Sequence, residues 1–266
     1  MLKDITVGQY LPGDSIIHHL DPRTKLMVTT LFILAIFLIV DWPGLLGLGL
    51  LLGIIYILSG LPGIMLLKGL KPLLFLLIIA LPLQIMFTPG EVVATLGPVL
   101  ITREGLYQAL LLSYRLAALI LTTSFLTLTT SPVALTDGLE RMLKPLERIK
   151  VPAHELAMMT TIALRFIPIF AEEAEKIRKA QQARGADFDS GRLIQRLRNL
   201  ISILVPLLLS AFRRADDLAL AMEARCYRGG ENRTRLIQWR MGVPDYLTLL
   251  IGLGFLTFSL MERIWF

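Results

Sequence analysis

Apolar positions run almost unbroken through residues 26–40, 43–67, 72–90, 106–136 and 246–261, the fourth stretch interrupted only by Arg115. A bilayer core about 30 Å thick needs about 20 apolar residues in a helix, so the pattern predicts five spanning helices. Span one opens at Asp21-Pro22, a capping residue followed by the proline tolerated at a first helical position. Residues 41–44 form a turn into span two, and Pro82 is expected to kink span three by removing a backbone hydrogen bond. Span five is short for a crossing, with Trp265 and Phe266 as interfacial anchors.

Residues 131–243 read differently. They are helical in period throughout, with no run of alternating β-branched residues. A first helix opens at Ser131-Pro132 and runs to about 150; a second starts near 153 and stops at Gly185; a third starts near 191. The second and third each pair an apolar half containing a proline, Pro168 or Pro206, with a charged half, and the prolines are expected to bend them. Glu172, Glu173 and Glu175 alternate with Lys176, Arg178 and Lys179 as a solvated, salt-bridged face. The expected fold is therefore an all-α integral membrane protein. About five transmembrane helices carry three long cytoplasmic helices between spans four and five. The parts are a four-helix membrane domain over 1–130, a cytoplasmic helical domain over 131–243 and a last transmembrane helix over 244–266.

Composition sharpens this. Of 266 residues 55% are hydrophobic and 18% charged, against roughly 45–50% and 25% in globular proteins, and mean hydropathy is +0.66. One cysteine excludes an intrachain disulfide, and three histidines with so little cysteine give no expectation of a metal site. No charged-then-apolar leader precedes span one, so no processed segment is expected. Lysine and arginine concentrate before span one, before span three and in 131–243, where 19 of the 27 basic and 13 of the 21 acidic residues lie. Loops kept in the cytoplasm retain such charge, so the N-terminus and the polar segment are expected inside and the C-terminus outside. The pI of 9.6 is accounted for by this asymmetry. Nucleic acid is not expected as a partner, because no aromatic platform accompanies the charge.

One constant offset along the chain brings the ends of the second and third long helices into register. Ala174 falls on Ala215, Glu175 on Asp216, Ala180 on Ala221, Ala183 on Ala224 and Arg184 on Arg225. A single arginine at a helix end is favoured by the dipole and is ordinarily a solvated cation. Duplication suggests another use: two equivalent tips engaging two equivalent partners, each guanidinium gripping a carboxylate through its planar fork.

These motifs resemble the transmembrane T component of energy-coupling-factor transporters, the EcfT/CbiQ-like family. The resemblance covers almost the whole chain. It rests on Asp21-Pro22-Arg23-Thr24-Lys25-Leu26, on Leu164-Arg165-Phe166-Ile167-Pro168 and on Ala180-Gln181-Gln182-Ala183-Arg184-Gly185. It rests also on Arg213-Arg214-Ala215-Asp216-Asp217-Leu218 and the stretch from Ala221 through Arg225 to Tyr227.

The resemblance implies long coupling helices whose two Ala-Arg-Gly tips dock on two ABC-type ATPase subunits, and a small membrane-embedded S component that binds a vitamin or other micronutrient. It implies a scaffold and energy transducer in the cell membrane, itself no enzyme. Ala183-Arg184-Gly185 is complete. The second signature departs from the pattern, with Cys226 after Ala224-Arg225 where glycine is usual. Glycine takes the left-handed conformation readily and other residues do not. The third helix is therefore expected to run past Cys226 and stop at Gly229-Gly230.

No glycine-rich loop ending in Gly-Lys-Ser or Gly-Lys-Thr occurs, so no cofactor is expected in this chain and ATP is expected on the partners. No catalytic residue is assigned, because the spans hold no converging carboxylates or histidines for an enzyme acting on a membrane lipid. Arg115 leaves open a self-sufficient channel or secondary transporter, since an ionisable group inside a span is a functional candidate; it could equally pack on a polar neighbour or reach an interface. Gly49 and Gly53 permit close helix approach, in the bundle or against the S component. Met158, Met159 and Met222 suit either core filling or an adaptable partner surface.

Overall fold

The computed structural model describes residues 10–39, 41–96, 99–145, 152–186, 188, 193–227, 229 and 239–265. The chain is an all-α membrane protein that divides into two compact units, Gly8–Leu139 with Gln238–Phe266, and a second containing Glu140–Ile237.

In the first unit a short α1 (Ile16–His19) leads into α2 (Pro22–Leu38), α3 (Trp42–Ser59), α4 (Gly63–Phe87), α5 (Arg103–Thr129) and the start of α6 (Pro132–Leu143). The chain returns to this unit as α9 (Val243–Trp265). Asp21 caps α2 by accepting from the Arg23 amide at 2.9 Å, with Pro22 in the first turn. Ser131 caps α6 by accepting from the Ala134 amide at 3.2 Å.

Helix α2 packs on α5 and α9, and α5 packs on α3 and α4. The core is built from Phe32, Ala35, Ile36, Ile39, Leu45 and Leu48 with Leu128. The outer faces are as apolar as the core: Phe37, Leu50, Ile57, Phe75, Ile78 and Phe87 are all exposed. Such a surface suits hydrocarbon, where every backbone group must be paired inside its own helix.

Among the described residues four helices are long and apolar enough to cross a membrane, namely α3, α5, α7 (Ala153–Ala183) and α9, and the bent α4 makes a fifth. Helix α2 has 17 residues, about 25 Å at 1.5 Å per residue, the lower end of the roughly 17–25 residues that span a bilayer.

Several boundaries differ from the sequence reading. The uncharged run 43–67 is not one helix: α3 stops at Ser59, and Gly60 turns the chain at φ 64°. A turn of glycine and proline carries no charge, so hydropathy passes over it. Helix α4 starts at Gly63 rather than at 72, and it bends by 49° between Lys71 and Leu73. The run 106–136 breaks at Thr130. Helix α9 has 23 residues because Asp245, Glu262 and Arg263 extend the apolar stretch. The loop after α4 carries an antiparallel hairpin, β1 (Val92–Leu96) with β2 (Val99–Thr102), which the sequence reading did not anticipate.

The second unit holds α7 and α8 (Leu193–Ala224). Both run through their prolines, Pro168 and Pro206, as single helices.

Candidate functional site

Helix α7 has its last helical residue at Ala183. Arg184 is the cap, and Gly185 follows at φ 89°. The Gly185 amide donates to the Gln182 carbonyl at 2.9 Å and the Ala186 amide to the Gln181 carbonyl at 3.0 Å. This pair of bonds is the Schellman motif, which satisfies carbonyls that a helix end would leave unpaired.

Helix α8 ends in the same way at the equivalent position of the repeat. Its last helical residue is Ala224, the Cys226 amide donates to the Glu223 carbonyl at 2.9 Å, and the Tyr227 amide to the Met222 carbonyl at 3.0 Å. Cys226 takes φ 56°. The expectation that α8 would run on to Gly229-Gly230 is therefore wrong, and the helix stops where its repeat partner stops. A left-handed residue other than glycine costs about 1–2 kcal/mol, which two amide–carbonyl bonds can offset. At both tips Ala183, Arg184 and Gly185, and Ala224, Arg225 and Cys226, are exposed. Neither guanidinium has an ion-pair partner among the described residues.

The two helices meet around Glu173. This carboxylate of α7 accepts from the Ser210 hydroxyl at 2.5 Å and from Arg214 Nη2 at 3.0 Å on α8, and the Arg214 guanidinium lies 6.0 Å from the Phe170 ring centroid. Glu173 thus leaves the solvated face expected for it, because helical spacing turns it toward α8. Glu175 stays on that face with Arg178, at 2.9 and 3.1 Å. Glu173 and Arg214 are 41 residues apart, which is the offset of the repeat itself. Equivalent positions therefore meet, as around a local two-fold axis. Each tip arginine lies about three helical turns beyond its member of the pair, about 16 Å of helix on each side.

Toward the α8 tip, the Tyr227 hydroxyl lies 2.9 Å from Met158 Sδ and 3.3 Å from His154 Nε2, while His154 Nδ1 is 3.0 Å from Glu140 Oε1. Met158 therefore takes part in holding the tip, whereas Met159 is exposed. The sequence reading assigned no role to Tyr227, His154 or Glu140. The available signal was the position just after the two tips, where Ala186 falls on Tyr227.

The remaining candidates lie in the helical bundle. Arg115 donates from Nη2 to the Ile39 carbonyl at 2.7 Å and so caps the C-terminal end of α2, where a cation also suits the dipole. A Cβ at Gly49 would overlap the Tyr114 hydroxyl, whereas one at Gly53 would meet nothing within 4 Å. The pair is split: Gly49 admits α5, and Gly53 is open. Among the described residues no group of three or more His, Cys, Asp or Glu is placed to hold a metal ion.

The fold and the twin tips define a class, a multi-pass helical membrane protein with a duplicated helix tip. Residues 13–236 match the family described as Cobalt transport protein, CbiQ. A relative from Thermosediminibacter oceani is 53% identical over 99% of this chain and 100% of its own length. Another from Heliobacterium modesticaldum is 53% identical over 99% of each chain, and one from Bacillus subtilis is 44% identical over 98% of this chain and 99% of its own. All three are called energy-coupling factor transporter transmembrane protein EcfT. The chain belongs to this EcfT family, the transmembrane component of a transporter complex.

Proposed function

We propose that the chain is the scaffold and energy transducer of an ATP-driven importer for a vitamin or other micronutrient. Its tips at Arg184 and Arg225 dock on two ABC-type ATPase subunits. A small membrane-embedded S component binds the substrate against the bundle and the apolar face of α7, where exposed Met159 offers an adaptable contact. The observation that carries this reading is the equality of the two tips: the same hydrogen bonds, the same positive-φ position and one exposed arginine each, about 16 Å from a shared crossing point. ATP binds the partners, and this chain is not an enzyme.

The proposed site is the cell membrane, with the N-terminus and the α6–α8 segment in the cytoplasm and the C-terminus outside, an orientation the basic residues support. Helix α7 is apolar enough to cross. Its second half nevertheless carries Glu172, Glu173, Glu175, Lys176, Arg178 and Lys179, which suits an interfacial position under the bilayer. With Arg115 engaged as the cap of α2, the bundle offers no unassigned ionisable group to support a self-sufficient channel among the residues first singled out.

The test is purification of the tagged chain from its native membrane in mild detergent beside the Arg184→Glu, Arg225→Glu double variant. Two ATP-binding proteins and a small hydrophobic protein should accompany the wild type, and the ATP-binding proteins should be lost from the variant. A chain that purifies alone in both cases overturns the reading.

A further inference from the structure

The tips share an end geometry but not a footing. After the positive-φ position the first tip has Ala186, with no polar side chain, and the second has Tyr227. Tyr227 reaches His154 and Met158, which stand four residues apart and so share one face of α7. His154 and Glu140 are 18% and 12% exposed, so the chain of contacts is largely shielded from water.

The His154 ring bridges the two ends of this chain, Nδ1 facing the Glu140 carboxylate and Nε2 the Tyr227 hydroxyl, with the Met158 sulfur 2.9 Å from the same hydroxyl.

Glu140 belongs to α6, and the boundary between the two compact units falls inside that helix. Two residues earlier Gly138 lies against α2, where a Cβ would stand 3.0 Å from Pro22 Cβ and 3.2 Å from the Pro22 carbonyl carbon. One short helix therefore carries both the contact with α2 and the carboxylate that holds His154.

We infer that Tyr227, through His154 and Glu140, is a positioning residue that ties the second tip to α6, so that displacement of this tip is passed to α6, whereas the first tip has Ala186 at the equivalent position and cannot make this tie. The inference rests on the proposed docking of ATPases at the tips.

Two measurements on the full chain test it. Cys226 is exposed and is the one cysteine of the sequence, so a nitroxide attached there reports the footing of the second tip whether or not partners bind. The Tyr227→Phe and His154→Phe variants should each raise the mobility of the label, and the double variant should raise it no further. In the assembled complex the same variants should retain their ATPases and their ATP hydrolysis. Substrate taken up per ATP hydrolysed should fall by roughly 2- to 30-fold, the range of 0.5–2 kcal/mol couplings along such networks.

Unchanged label mobility overturns the anchor. Raised mobility with an unchanged uptake ratio overturns the relay. Effects of the two substitutions that add in full overturn the linked chain. If the wild type retains no ATPase the docking reading has failed, and the pull-down shows this before any Tyr227 variant is made.

Discussion

Cys226 occupies a conformation that most side chains avoid, and its φ of 56° is matched by Gly185 at 89° in the other tip. Cys226→Gly should therefore relieve about 1 kcal/mol of strain, and Cys226→Val, branched at Cβ, should add to it. Amide hydrogen exchange at Cys226 and Tyr227 would read both, slower in the first variant and faster in the second. The position also shows where sequence reasoning erred. A rule about residue preference, that glycine ends helices, was set above the repeat register that already placed Cys226 on Gly185. The hydrogen bonds of the ending come from the backbone, which cysteine supplies as well as glycine does.

Arg115 illustrates a different limit. Its place in a span marked it as ionisable in apolar surroundings, but its acceptor, the Ile39 carbonyl, lies 76 residues away and could not be read from the chain. Arg115→Leu leaves that carbonyl unpaired and should lower stability by about 1–3 kcal/mol, seen as an earlier thermal transition of the purified protein in detergent.

Among the helices, α3 and α5 offer a contrast internal to one motif. Spacing alone made Gly49 and Gly53 equivalent, whereas only Gly49 faces Tyr114. Gly49→Ala should force the two helices apart and reduce thermal stability, Gly53→Ala should not, and Tyr114→Phe should restore much of the loss by removing the overlapping hydroxyl. An equal effect of the two alanines would contradict the packing.

The short α1 makes a pH-dependent contribution. The His18 ring lies between the Ser15 hydroxyl at 2.6 Å and the Leu11 carbonyl at 3.2 Å. Burial, with Lys25 and His19 adding to it, holds its pKa below the ordinary 6.5 despite the Leu11 hydrogen bond and Asp14. The unfolded chain then binds the proton more readily than the folded one, so stability is complete above pH 6.5 and declines as pH falls below it. His18→Gln should flatten that decline in melts between pH 7.5 and 5. The existence and order of the long helices were legible because burial in lipid demands long apolar runs. Their ends were less so, since Gly60 and Thr130 carry no charge to interrupt a run, while Lys68 and Lys71 interrupt one inside α4.

Taken whole, the bundle is closed by polar residues that pattern alone does not single out. Asp245, 4% exposed at the start of α9, accepts from the Asp21 amide at 2.9 Å and from the Gly242 amide at 2.8 Å. Lys25, 8% exposed and with Asp245 as its acidic neighbour, donates to the His18 carbonyl at 3.0 Å and to the Thr129 carbonyl at 2.9 Å. These bonds join the start of α2, the end of α5 and the start of α9, with Asp21 and Asp245 standing 224 residues apart in the chain. The resemblance motif from Asp21 to Leu26 marked half of this cluster. Asp245 was invisible, because one acid before an apolar run reads as an ordinary boundary. A buried charge stripped of its partner typically costs about 3–5 kcal/mol, so Asp245→Ala should lower the melting transition of the bundle sharply. Asp245→Ala takes the acidic neighbour from the Lys25 ammonium and also leaves the Asp21 and Gly242 amides unpaired, so adding Lys25→Met to Asp245→Ala should recover part of the loss. If the double variant instead melts lower than Asp245→Ala by the full effect of Lys25→Met alone, the two residues act independently, and α9 is held by its apolar face.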